Sequence, residues 1–306
     1  MKRKISSCCL VLAVLVLTLL TGISASAASN RYVAKIGNKK YTSLSAAVKN
    51  VKSGQTIKVT SGIATSGSLV IHRPNVKFTI DFGKQNYIST GKDHAIRVEA
   101  GSVTIKNARL TAKQGEGELL HVNKGAKAVI DGGTFKGDRY GMLENWGNLT
   151  ISGGSLISTA PEDNFMSWGP YNFNDGIVTI TGGKLISACS MFNSGKLAMK
   201  GGTLKCAELW GWDGSSATFS GKCKVEMTRR IGTQAQITIT GGTFKSSSKE
   251  DAMLYAASSK GRITVEGGRF IGKKTYLYEE SDSGKVNFIG KNYIADTKYK
   301  KKKSEY

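Results

Sequence analysis

The sequence predicts an all-β chain, a single-stranded parallel β-helix (a solenoid of short strands) with one amphipathic helix near its N-terminal end. The first observation is a phrase that keeps returning: an apolar-Thr-apolar triplet, one polar residue, then Gly-Gly. It reads Leu149-Thr150-Ile151-Ser152-Gly153-Gly154, Val178-Thr179-Ile180-Thr181-Gly182-Gly183 and Ile237-Thr238-Ile239-Thr240-Gly241-Gly242, with looser copies at Gly132-Gly133, Gly201-Gly202 and Gly267-Gly268. The second is its interval. With Asn107 as a degenerate copy and Gly221 as a single-glycine copy, the markers fall at 107, 132, 153, 182, 201, 221, 241 and 267, spaced by 25, 21, 29, 19, 20, 20 and 26 residues. Such a near-constant period marks a stacked repeat. The third is alternation with period two, as in Thr56-Ile57-Lys58-Val59 and Phe78-Thr79-Ile80-Asp81, which marks half-buried strands.

Residues 1–27 carry Lys2, Arg3 and Lys4, an apolar run from Cys9 to Leu20, and small residues at Ala25-Ser26-Ala27. A charged start, a short apolar stretch and an A-x-A site form the pattern of a cleaved signal peptide. The run is short for a membrane span, so the mature chain is expected to be secreted or held at the cell surface without a transmembrane segment.

Residues 28–54 are expected to hold a lead-in strand near 32–36 and then a helix. Leu44, Ala47, Val48 and Val51 share one helical face, a Ser or Thr can cap the start, and Gly54 can end it. A single such helix in a strand-rich chain suits a lid over the end of the core, because terminal units of a solenoid need a cap.

Residues 55–296 are read as about ten coils. In each triplet the outer two residues face inward and the Thr outward. Phe135, Leu156, Leu185, Leu204, Phe244 and Phe270 each follow a marker glycine by three positions and should stack in a column. Gly-Gly supplies the corner, where a side chain would clash or φ must be positive. Asn123, Asn145, Asn174 and Asn193 each precede a glycine by two and suggest a ladder of stacked amides. Residues 297–306 read as a basic, disordered tail.

The helix followed by Ser53-Gly54-Gln55-Thr56-Ile57-Lys58-Val59-Thr60-Ser61-Gly62 resembles the opening of right-handed parallel β-helices of the pectate-lyase-like superfamily. The resemblance covers residues 43–296 as a pattern of coils and implies a right-handed solenoid with an asparagine ladder. Superfamily members that cleave polyuronates bind calcium with clustered acids and use Arg or Lys as base, and glycan-hydrolysing members use grouped aspartates. That chemistry requires carboxylates on adjacent coils or at i, i+2 on one strand.

No such grouping is legible. The position before each corner reads Asp131, Ser152, Thr181, Lys200, Ser220, Thr240 and Glu266, with no two acids adjacent. Asp175, Asp213, Glu280, Asp282, Glu116 and Glu118 read as solvated charges. The three histidines, His72, His94 and His121, do not assemble in this reading. An Arg97/His121 pair on neighbouring strands is the best acid–base candidate, with no partner carboxylate to tune it. No catalytic residue, metal ligand or cofactor is therefore assigned.

Composition gives a partner class. The net charge is +22, from 44 basic and 22 acidic residues, and removal of the three basic residues of the leader leaves +19. Such a field favours polyanions; an anionic polysaccharide or cell-wall polymer fits better than nucleic acid, for which there is no recognition module. Cys189, Cys206 and Cys223 lie outside the leader. Free thiols packed as small hydrophobes are the preferred reading, with a bridge such as Cys189–Cys206 left open.

All four tryptophans fall between 146 and 212. Trp146, Trp168, Tyr171, Trp210 and Trp212 are candidates to stack on sugar rings, with Arg229 and Arg230 to hold a carboxylate or phosphate. Core packing competes for these aromatics, above all for Phe173 and Phe192. The expected function is a monomeric, non-catalytic β-helix that binds an anionic glycan or cell-envelope polymer, as an adhesin or wall-associated protein. The alternatives are a polysaccharide lyase acting on an acidic glycan and a purely structural spacer.

Overall fold

A computed structural model describes residues 31–113, 119–137, 142–159, 168–281 and 283–302. The proposed signal peptide, Glu116, Glu118 and Asp282 lie outside the described residues. The chain forms a parallel β-solenoid of about ten turns. Each regular coil contributes three short strands, and each strand pairs in parallel with its equivalents one coil before and one coil after. The coil with Leu143–Asn145, Asn148–Ile151 and Ser155–Ser158 stacks on the one with Trp168–Asn172, Ile177–Ile180 and Lys184–Ile186. The solenoid therefore has three sheet faces, here called first, second and third in the order the chain visits them.

Alternation fixes what each face buries. On the second face Leu149 and Ile151 point inward and pair with Val178 and Ile180, then with Leu197 and Met199 on the next coil. The intervening Thr150 and Thr179 are half-buried on the outside. On the third face Phe135, Leu156, Leu185 and Leu204 stack in register, followed by Val225, Phe244 and Phe270. All are fully buried, so one continuous apolar column runs along the axis. Neighbouring coils are spaced at about 4.8 Å by the strand hydrogen bonds.

The marker glycines turn the corner between the second and third faces. Gly133, Gly154, Gly183 and Gly202 have positive φ, and a Cβ on Gly133 would lie 2.3 Å from the Ala108 carbonyl oxygen of the preceding coil. Asn107 fills the degenerate copy with φ of 54°, a conformation its short polar side chain tolerates. At 221 the corner is one residue longer, and Cys223 takes the place of the second glycine. Its Sγ occupies the space where a Cβ on Gly242 would fall.

Helix α1 (Leu44–Asn50) starts where Ser43 accepts a hydrogen bond from the Ala46 amide and buries Leu44, Ala47 and Val48. Ala34–Ile36 pairs antiparallel with both Lys39–Tyr41 and Thr56–Val59. At the other end, the tail expected at 297–306 is not free through Lys302. The last strand runs over Lys285–Lys302, with Tyr299 opposite Tyr276 and Lys301 opposite Tyr278. An ion pair between Lys301 and Glu280 at 2.8 Å draws the basic segment onto the sheet. Cys189, Cys206 and Cys223 are buried and no disulfide joins them.

Candidate functional site

The first face gathers aromatic and titratable side chains. Its outward positions, one per coil, form the column Arg97, His121, Glu144, Tyr171, Phe192, Trp210, Gly232 and Tyr255. Seven coil steps separate Arg97 from Tyr255, about 34 Å at the strand spacing. A second outward line lies two residues further along each strand and holds Trp146, Phe173, Ser194 and Trp212.

Between the two lines, the inward positions hold an asparagine ladder of Asn145, Asn172 and Asn193. Asn145 Nδ2 donates to Asn172 Oδ1 at 2.8 Å, and Asn172 Nδ2 donates to Asn193 Oδ1 at 2.7 Å. All three are fully buried. The rung expected at Asn174 is filled by Asn172, and the one expected at Asn123 by Val122; Asn174 itself is exposed. The turns differ in length: Trp146-Gly147 in one coil, Asn123-Lys124-Gly125 and Phe173-Asn174-Asp175-Gly176 in others. Counting back two residues from each glycine therefore lands on different phases. Gly176 and Gly195 lie beneath the ladder, where a Cβ would come within 2.3 Å of neighbouring oxygens.

The ladder decides which way the aromatics point. With Asn145, Asn172 and Asn193 inward, Trp146, Tyr171, Phe173 and Phe192 all lie outside. Phe173 and Phe192, expected to fill the core, are half-buried on the outer face instead. Trp146 stacks on Phe173 at 3.9 Å between ring centroids and 8° between planes, and Phe173 stacks on Tyr171 at 4.1 Å. Phe192 bridges towards Trp212 at 6.3 Å. Such contacts add about 0.5–1.5 kcal/mol each beyond burial. The inner rings cover one another, and among the described residues Trp146 and Trp212, 37% and 39% exposed, are the indoles left open on this face. Trp210 and Trp212 sit on the same side of their strand and meet edge to face at 6.1 Å. Trp168 begins the strand Trp168–Asn172, and its side chain lies outside the described residues.

Arg229 and Arg230 do not stand free. Glu208, nearly buried, accepts from Arg229 at 3.1 Å and from Arg230 at 2.7 Å, and Asp251 faces both at 3.5 and 3.6 Å. Two guanidinium groups and two carboxylates balance. The Arg230 guanidinium also covers Tyr255 at 4.5 Å and Trp210 at 5.9 Å, so it positions aromatic rings while its charge is taken up within the protein. Trp210 Nε1–H is buried and has no hydrogen-bond partner among the described residues.

The other end of the face is polar, and there two of the three histidines do assemble. His121 Nδ1 lies 3.0 Å from Glu144 Oε2, and His94 Nε2 lies 3.6 Å from the same oxygen. The two rings meet edge to face at 4.7 Å. Hydrogen bonds from His121 and then His94 bring the Glu144 carboxyl down to about 2 against the opposing effect of burial. His94 Nδ1 contacts Asp93 Oδ1 at 2.8 Å, while Asp93 Oδ2 accepts from Arg97 at 3.1 Å. Burial opposes ionisation of Asp93, but hydrogen bonds from His94, Arg97 and Ser68 outweigh it and hold the carboxyl below its usual range. The expected Arg97/His121 neighbours are thus adjacent in register, and the carboxylate absent from the sequence reading is Glu144. Its signal was available: Ile96-Arg97-Val98, Leu120-His121-Val122 and Leu143-Glu144-Asn145 align as apolar, polar, inward-facing triplets.

No family model, curated protein or solved structure matches this chain.

Proposed function

We propose that this protein is a non-catalytic binding protein that docks an extended anionic glycan or cell-envelope polymer along its first face. The observation that carries the reading is the pair of exposed indoles, Trp146 and Trp212, set three coil steps apart on one flat face and joined by half-buried Phe173, Tyr171 and Phe192. A rigid sheet holds such platforms at fixed spacing, so a polymer with a repeating ring lies across them at little entropic cost. The excess of basic residues supplies the preference for an acidic chain. The Arg229–Arg230 pair acts in this reading by fixing Trp210 and Tyr255.

The same reading takes the solenoid as right-handed and related to the pectate-lyase-like superfamily, α1 as the cap of its core, and the chain as exported. Its support is the opening Ser-Gly-Gln-Thr-Ile-Lys-Val segment and the leader pattern of residues 1–27. The lyase alternative has one specific observation in its favour, the His121–Glu144 contact at the end of this face. It requires unsaturated products from a uronate polymer. A pull-down with uronate and phosphate-bearing wall polymers, run with and without chelator and over a salt series, tests the binding reading. Retention that weakens with salt and survives chelation supports it, and no retention on any anionic polymer refutes it.

A further inference from the structure

The polar end of the first face has a composition unlike the rest of the chain. Asp93 and Glu99 contact a single guanidinium, Arg97, and Glu144 lies two coils further along the same column, on a protein whose basic residues outnumber its acids two to one. Within this acidic spot His94, His121 and Glu144 each present one donor atom, and all three atoms lie within 4.8 Å of one another. They come from three successive coils. His121 and Glu144 lie opposite each other on paired strands, whose hydrogen bonds hold their backbones at fixed separation, and His94 lies in the loop two residues before the strand that opens with Ile96. All three side chains are half-buried, dry enough to strengthen a charge interaction and open enough for an ion to enter.

We propose that His94, His121 and Glu144 form a binding site for a divalent transition-metal ion, with zinc as its natural occupant. Two imidazoles and a carboxylate are the donor set of open zinc centres, which leave a fourth position for water or a ligand. Tetrahedral zinc with bonds of about 2.0–2.1 Å sets its ligand atoms about 3.3–3.4 Å apart. The contacts of Glu144 Oε2 with His121 Nδ1 at 3.0 Å and with His94 Nε2 at 3.6 Å bracket that edge. Oxygen-rich calcium sites need six or more oxygen donors, which two imidazoles do not supply.

The surrounding residues serve the site. Asp93 contacts His94 Nδ1, which leaves Nε2 directed at Glu144. A carboxylate behind a ligating histidine fixes its tautomer and raises its basicity. Arg97 in turn holds Asp93 and reaches Glu99 at 3.6 Å, so its charge is spent on carboxylates that do not touch the ion. Asp93 is a positioning residue. Coordination through His121 Nδ1 requires that atom to be unprotonated, so any proton there moves to Nε2 or to solvent as the ion binds. The site stands independently of polymer binding.

The full chain, free of any polyhistidine tag, is titrated with Zn2+ by calorimetry and with Co2+ by visible absorption. One ion per chain is expected, with the intense visible bands of low-coordinate cobalt. His121→Ala and the nearly isosteric Glu144→Gln should each abolish the cobalt signal while the far-ultraviolet circular dichroism is unchanged. Asp93→Asn should weaken zinc binding about 10–100-fold, and His72→Ala, outside the three ligands, should leave it unchanged. No binding by the wild-type chain, or binding equal in His121→Ala and Glu144→Gln, would overturn the proposal.

Discussion

Trp210 packs against Gly232, its partner one coil on, so closely that a Cβ there would come within 2.4 Å of Trp210 Cζ3. The glycine is what lets the indole lie flat across the following coil. Gly232→Ala should push Trp210 outward and destabilise the protein by about 1–3 kcal/mol, the usual cost of overpacking. Equilibrium urea unfolding followed by tryptophan emission measures both effects. An unchanged midpoint and emission maximum would mean that the ring is not held there.

The ladder is the second point of strain on substitution. Asn172 donates to Asn193 Oδ1 and accepts from Asn145, and its Nδ2 also lies within reach of the Gly176 and Lys196 carbonyls. Asn172→Ala orphans several buried groups, each costing about 1–3 kcal/mol. Native-state hydrogen exchange should show the loss of protection concentrated in the coils of Asn145, Asn172 and Asn193, with the coils near α1 unaffected.

Tyr87 is buried, and burial pushes its hydroxyl up from 10.0 to about 12. The unfolded chain ionises this group first. Its folded state therefore holds the proton over a range where the unfolded state has lost it, and stability falls between about pH 10 and pH 12. Below pH 10 the group adds no pH dependence. The full shift corresponds to at most about 3 kcal/mol. Comparing wild type and Tyr87→Phe by urea unfolding at pH 8 and pH 11.5 isolates it. The wild type should lose more stability than the variant, and parallel losses would contradict the assignment.

Burial, and then the charge of Glu208, push the Cys206 thiol to about 12, and burial raises that of Cys223. Thiolate is the reactive form. Cys189 is shielded by burial, so iodoacetamide at pH 8 should leave Cys189, Cys206 and Cys223 unmodified in the native protein and label all three in guanidinium without added reductant. Peptide mass spectrometry reads the outcome, and rapid native labelling would show that the core opens.

Much of the fold was legible because the solenoid repeats one local solution. The Thr-centred triplets, the corner glycines and the column from Phe135 to Phe270 follow from alternation and period, and they recur often enough to fix their own phase. The first face resisted because its turns vary in length. Asn123 and Asn145 sit alike relative to their glycines, yet the parallel register places Asn145 opposite Val122. With period two, a slip of one residue turns every side chain to the other face. The unsettled phase of Met142–Trp146 hid Glu144 from His121. Phe173 and Phe192 read as core because aromatics are more often buried than not, against the alternation that an inward Asn193 sets for Phe192. Glu208 and Asp251 were hidden for another reason: they meet Arg229 and Arg230 from neighbouring coils at positions that no motif marks.

The polymer-binding account turns on Trp146 and Trp212. The most direct measurement is the affinity of the full chain for an acidic polysaccharide retained in the pull-down, compared with that of the Trp146→Ala/Trp212→Ala double variant at one fixed ionic strength. By analogy with a nucleobase, whose stacking on one aromatic side chain is worth roughly 1–3 kcal/mol, removal of both platforms should weaken binding at least tenfold while the circular dichroism and melting temperature hold. Equal affinity of the two proteins would contradict the account.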